Sequence, residues 1–295
     1  MAGRASPTTR PDVLGLFGPT ASGKSAVAKA LAERIPVELV SADSMQVYRG
    51  LPLLTNQDAA ARLVGIWPLD RQGSVGGFQA LAHAAIDEIV AAGRTAVVVG
   101  GSGLWLQAAL TDVELPADVP AGARARWERL YDRRGAATAH GVLERRDPRA
   151  ARRVHPNDRK RVVRALELWQ AGGTLVPEQP RLWTAALRLE TLVVGLDVPP
   201  EALAARVRAR AEAMFDQGVE DEVRAAGDVV PQVLGLDAVR TLPRPEAIEE
   251  LVRATLRLAA YQRKWMRRLP GVVMIDGNRP PDEVADEILE VARAR

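Results

Sequence analysis

The sequence predicts an α/β protein, a parallel sheet flanked by helices and interrupted by a small helical insertion. Three observations lead there. Short apolar, β-branched runs recur along the chain with helical patterns between them. The first run ends in a glycine-rich loop that opens a helix. Near the middle, 115–155 shows no strand signal and holds most of an arginine excess.

Taken in order, MAGRASPTTRPD (1–12) is charged and is not followed by an apolar h-region with a cleavage site, and is expected to be a flexible leader rather than a secretion signal. Val13–Phe17 is the first strand, Lys24–Ile35 a helix and Val37–Val40 the second strand, the start of a βαβ unit that implies parallel pairing. A helix over Gln79–Ala92 leads to a third strand at Ala96–Val99, and Leu192–Leu196 and Val272–Ile275 complete the set. Pro200–Ala225 and Pro245–Arg268 carry apolar residues at three- and four-residue spacing, a helical period. Gly172–Thr184, with Pro177 and Pro180, is expected to be a loop. The expected division is therefore a core of 13–114 and 156–295 around a helical insertion at 115–155, entered through Asp112–Gly122. In open α/β sheets ligands sit beyond the carboxyl ends of the strands. Ser25, Asp43 and Ser102 all follow strand ends and should converge on one crevice.

Composition narrows the classes. A chain of 295 residues with 47% hydrophobic content buries a substantial core. It contains no apolar run long enough to span a bilayer, so no membrane partner is expected. The absence of cysteine excludes disulfides and thiol catalysis and fits a cytoplasmic protein, expected here as a monomer. Net charge is only +3, yet 121–165 holds fourteen Arg or Lys against five Asp or Glu. That excess suits either a phosphate-facing surface or solvated helix faces.

Gly18-Pro19-Thr20-Ala21-Ser22-Gly23-Lys24-Ser25 matches G-x-x-x-x-G-K-[ST] in full, between a predicted strand and a predicted helix. The fold is therefore expected to be P-loop NTPase-like. Its backbone N–H groups turn toward phosphate oxygens, Lys24 adds a point charge and Ser25 a hydroxyl for Mg²⁺. Asp43, in Ser41-Ala42-Asp43-Ser44-Met45-Gln46, follows a strand taken as adjacent to the P-loop strand. It either holds Mg²⁺ or accepts a proton, or else it caps the next turn. In Gly100-Gly101-Ser102-Gly103 the glycines allow backbone to approach a ligand that Ser102 could bond, or they form only a tight turn. His155-Pro156-Asn157-Asp158 precedes a helix with Arg159, Lys160, Arg161 and Arg164, capped by Asp158 or Asn157. Lys160, Arg161 and Arg164 share a face suited to a polyanion or to solvent. His155 has no partner in view and reads as structural.

GPTASGKS (18–25), SADSMQVYRG (41–50), VGGSGLWLQAAL (99–110), HPNDRKRVVRALELW (155–169), MFDQGVEDEVRAA (214–226) and, more weakly, ATLRLAAYQRKW (254–265) together resemble the tRNA dimethylallyltransferases. The likeness runs from about Val13 to Ile275. It implies transfer of a dimethylallyl group from dimethylallyl diphosphate to N6 of an adenine in a tRNA anticodon loop. By that resemblance the P-loop, Thr20 to Ser25 above all, binds the donor diphosphate with Mg²⁺, and Asp43 takes the N6 proton. Lys24 and Ser102 act with Asp43 at the reacting centre. Asp43, Ser44, Met45 and Gln46 contact tRNA, as do Lys160, Arg161, Val162, Val163 and Arg164, while 115–155 clamps the anticodon stem.

The chain also departs from the family's pattern. Leu51–Trp67 lacks a GTAKP-type segment and the histidine-bearing strand after it. Gln232 and Leu236 stand near an expected arginine and aromatic, and Leu256, Ala260 and Tyr261 replace basic residues. Loss of one diphosphate-facing arginine weakens charge stabilisation by a few kcal/mol, which Arg49, Arg240 or Arg257 could offset. Two rivals follow: a small-molecule kinase, with Arg206, Arg208 and Arg210 as a loose lid pattern, and a tRNA-binding relative with weakened catalysis. A solvated helix face explains the three arginines better. Prenylation of free nucleotides is disfavoured by the Arg-rich insertion.

Overall fold

The structure is a computed structural model that describes residues 10–71, 73–113, 119, 122–176, 186–227 and 233–295. Residues 1–9 of the expected leader and 177–184 of the expected loop lie outside the described residues, as does Gln232. Two compact units are present, one formed by 1–112 with 185–295 and the other by 113–184.

The first unit opens with β1 (Val13–Phe17), α1 (Lys24–Ala32), β2 (Val37–Ser41), α2 (Pro52–Thr55), α3 (Val75–Ala91), β3 (Thr95–Gly100) and α4 (Gly103–Leu110). The second unit contributes α5 (Ala123–Arg134), α6 (Ala136–Arg146), α7 (Pro148–Ala151) and α8 (Arg159–Gln170). The chain then returns with β4 (Thr191–Asp197), α9 (Pro200–Asp216), α10 (Val219–Ala225), α11 (Leu236–Thr241), α12 (Arg244–Met266), β5 (Val273–Asp276) and α13 (Pro281–Arg293).

The five strands form one parallel sheet in the order β2-β3-β1-β4-β5. β1 is buried throughout, as a strand covered by helices on both faces must be. β3 separates β1 from β2, so the expectation that Asp43 follows the immediate neighbour of the P-loop strand is corrected: it follows the next strand but one. Alternation divides β1 between two cores. Leu14 and Leu16 pack with Val27 and Leu31 of α1 and Ile288 of α13 on one face. Val13 and Phe17 pack with Phe78, Ile86 and Leu106 on the other.

The helix expected over Pro200–Ala225 is two helices. Gly218 sits at φ +89, a left-handed conformation that ends α9 and starts α10 on a new axis.

The second unit has its own core, built on Trp127, Leu143, Val162, Val163 and Leu166. Here the expected boundary at residue 155 is corrected. α8 packs against α5 and α6 rather than joining the sheet, because its apolar side completes that core. Glu167, 3% exposed, bridges Arg124 of α5 at 3.1 Å and Arg164 of its own helix at 3.3 Å. Asp158 caps α8, its Oδ1 accepting from Arg161 N at 3.1 Å.

Candidate functional site

The loop after β1 owes its shape to backbone freedom at two positions. Gly23 adopts φ +90 and Ala21 φ +63, which turns the loop into the start of α1. Lys24 Nζ donates to the carbonyls of Gly18 and Pro19, both at 2.8 Å. Ser22 is 1% exposed and its Oγ has no hydrogen-bond partner. A buried hydroxyl left in that state is destabilising and is the kind of group a ligand oxygen satisfies.

A cavity of about 330 Å³ opens over this loop. Thr20, Ala21, Ser22, Gly23, Lys24 and Ser25 line it, together with Asp43, Met45 and Gln46 beyond β2. Gly18 and Pro19 serve it through the carbonyls that hold Lys24. Two helices complete the wall. α9 presents Arg206, Val207, Arg210 and Met214, and α12 presents Leu251, Thr255, Leu258 and Gln262. Both helices place their polar residues near the loop: Arg210 Nη2 donates to Thr20 Oγ1 at 2.9 Å, and Thr20 N donates to Gln262 Oε1 at 2.8 Å. Leu251 stands three turns from Gln262, roughly 16 Å along the helix axis at 1.5 Å per residue. The cavity is thus cationic at the loop and apolar away from it.

The electrostatics favour an anion. Loss of solvent around Lys24 pulls its pKa down to about 8; Asp43 opposes this and Arg210 adds to it. Burial likewise lowers the pKa of Arg210, again opposed by Asp43. Two poorly solvated cations face one carboxylate, an imbalance that a bound anion relieves. Asp43 Oδ1 accepts from Met45 N at 2.9 Å, which fixes the side chain and leaves Oδ2 for a proton or a cation. Among the described residues no cluster of three metal-ligating side chains exists. One hydroxyl (Ser25) and one carboxylate (Asp43) nevertheless suit Mg²⁺, which is commonly held by one or two carboxylates plus ligand phosphates.

Not every expected residue arrives here. Ser102 does not line the cavity; it stands at the start of α4, and its side chain makes no capping bond. The glycines around it are small for a different reason than ligand access. A Cβ on Gly101 would lie 2.4 Å from Gln262 Nε2, and one on Gly103 would lie 2.2 Å from the Trp265 ring. They admit α12, and so bring Gln262 to the P-loop. Ser44 is also absent from the lining, and the Gln46 amide is engaged internally at both ends.

On α8, Lys160 and Arg161 are exposed and Arg164 partly so, but Val162 and Val163 are buried in the second unit's core. The expectation that these two valines contact tRNA is therefore corrected: their side chains hold the helix bundle together. Conversely, Arg210 and Gln262 are site residues that sequence reasoning misses. Arg206 and Arg210 are four residues apart, one face of a helix, whereas Arg208 points elsewhere and pairs with Glu249 at 2.7 Å.

The IPP transferase family model matches residues 46–269. The chain is 38% identical to a tRNA dimethylallyltransferase of Acidothermus cellulolyticus, over 96% of this chain and 92% of that one. It is 34% identical to a tRNA dimethylallyltransferase of Corynebacterium jeikeium, over 97% and 98% of the two chains. Among solved structures, the tRNA isopentenylpyrophosphate transferase of Bacillus halodurans superposes with a TM-score of 0.67 at 29% identity, covering 96% of this chain and 95% of that one. A eukaryotic dimethylallyltransferase acting on tRNA shares the fold, with a TM-score of 0.73 at 24% identity over 90% and 73%.

Proposed function

Because this chain belongs to the IPP transferase family, we infer that it transfers a dimethylallyl group to tRNA, and we propose dimethylallyl diphosphate as the donor. The acceptor in this reading is N6 of an adenine in the anticodon loop. The observation that carries it is the grouping of Lys24, Arg210 and the unpartnered Ser22 hydroxyl at one end of a cavity that also holds Asp43.

The donor's diphosphate would lie in the P-loop, taking N–H groups of the loop, the Ser22 hydroxyl and the charges of Lys24 and Arg210. Its five-carbon chain would run along the apolar side, toward Val207, Met214, Leu251 and Leu258. The Ser25 hydroxyl, with the donor's own phosphate oxygens, would hold Mg²⁺, which would supply further charge neutralisation to the departing diphosphate. In the reaction the allylic C–O bond breaks and its electron pair leaves with the diphosphate. The N6 lone pair forms the new C–N bond. The proton lost from N6 passes to Asp43 Oδ2, since an exocyclic amine becomes acidic only as it is alkylated. Lys24 and Arg210 act by meeting charge as it develops on the leaving group. The adenine must leave its stack to reach this depth.

Basic side chains of α8, Lys160, Arg161 and Arg164, would contribute the salt-dependent part of tRNA binding. No helix among the described residues is long and apolar enough to cross a membrane. The reading is tested by incubating the protein with dimethylallyl diphosphate, Mg²⁺ and unmodified tRNA, then digesting the tRNA for mass analysis. Dimethylallyl adenosine should appear with wild-type protein and not with Asp43→Ala. Transfer of phosphate from ATP, without prenylation, would replace this reading with the kinase one.

A further inference from the structure

One wall of the cavity depends on a carboxylate that does not line it. α2 is four residues long and starts at Pro52, and its N-cap, Leu51, has no side chain that can accept a hydrogen bond. A helix start leaves backbone N–H groups without partners. Glu222 of α10 supplies both acceptors: Leu53 N donates to its Oε2 at 2.7 Å and Leu54 N to its Oε1 at 2.8 Å. At the far end of α2, Gln46 Nε2 donates to the carbonyls of Asn56 at 2.8 Å and Thr55 at 3.3 Å. Gln46 Oε1 in turn accepts from Ser41 Oγ at 2.8 Å. A second tie runs from Gln57 Nε2 to Tyr48 O at 2.7 Å. The loop that carries Asp43 is therefore clasped by the end of a helix whose beginning is held by Glu222.

We propose that Glu222 is a positioning residue for the transfer reaction. It anchors α2, α2 fixes Gln46, and Gln46 fixes the backbone from which Asp43 projects. The proposal rests on the reading of Asp43 as the base. Ionised acceptors make the stronger hydrogen bonds, so a carboxylate taking two amides holds α2 better than a neutral side chain does.

The test compares wild type, Glu222→Ala, Glu222→Gln, Gln46→Ala and the Glu222→Ala/Gln46→Ala double variant in the full chain. A catalytic group shifted by ~1 Å loses roughly tenfold to hundredfold in rate. Glu222→Ala should fall in that range in kcat, while its affinity for inorganic diphosphate, by calorimetry, stays within about twofold of wild type. Glu222→Gln keeps one acceptor oxygen and should recover part of the rate. The double variant should be no slower than the slower single variant, as expected for residues acting in one chain. Amide exchange across 43–48 should also quicken in Glu222→Ala. An unchanged kcat, single losses that multiply, or diphosphate affinity falling as far as kcat would each overturn the proposal. If wild-type protein prenylates no tRNA, the functional reading fails on its own; exchange across 43–48 then decides the clasp, and unchanged exchange in Glu222→Ala refutes it.

Discussion

Arg206, Arg208 and Arg210 look alike in sequence, and helical geometry separates them. A spacing of four keeps Arg206 and Arg210 on the cavity side, while Arg208, between them, is carried out to Glu249. That spacing holds the signal for Arg210. What it lacks is the partner, since Thr20 lies 190 residues away. The same holds for Gln262, which meets the loop only because Gly101 and Gly103 let α12 close in. Asp43 and the P-loop are legible because their spacing is local. Lys24 gives a pH prediction at this scale. Burial brings its pKa down to about 8, and an anionic ligand restores the charged form, so binding takes up a proton above that pH. Compared with Lys24→Ala, which carries only the ligand's own protonation steps, wild-type affinity for inorganic diphosphate should fall by up to a further tenfold or so per pH unit above pH 8. Calorimetry on both proteins across the range checks this, and Lys24→Ala should lose most of the affinity.

At the level of elements, all five strands lie where the sequence places them, within a residue or so at their ends. Each is short and carries β-branched residues, and the central strands β1, β3 and β4 are buried nearly throughout, which makes periodicity unnecessary for finding them. Helices are harder. α13 is not among the expected elements, although Val284, Ala285, Ile288 and Leu289 mark a helical apolar stripe. α8 is expected as a helix but in the wrong unit, because an amphipathic pattern reports that a face is buried and not against what. Its buried Glu167 ties α8 to α5 through Arg124. Glu167→Ala should lower the stability of the second unit by about 1–3 kcal/mol, measured by urea unfolding. Fully buried pairs lose more, about 3–5 kcal/mol, but here both arginines reach solvent. Gly103→Ala should be destabilising by a similar amount, about 1–3 kcal/mol, through its collision with Trp265.

For the whole molecule, the sheet gathers one chemical site in the first unit, and the second unit carries an Arg-rich helical surface. Donor binding and tRNA binding should therefore respond to different mutations. Lys160→Ala with Arg161→Ala should weaken tRNA affinity and reduce its log–log salt slope by about one for each phosphate no longer neutralised. Diphosphate affinity should not change. Filter binding over a salt series reads the tRNA terms, and calorimetry the diphosphate affinity.

The measurement that bears most directly on the account is single-turnover transfer by Asp43→Asn at saturating donor and tRNA. Asparagine keeps the shape and can still accept from Met45 N, but it cannot take up the N6 proton. General-base loss is worth about 10²–10⁴-fold in rate. The account predicts a fall of that size with donor affinity within about twofold of wild type. Transfer by Asp43→Asn at the wild-type rate would contradict it.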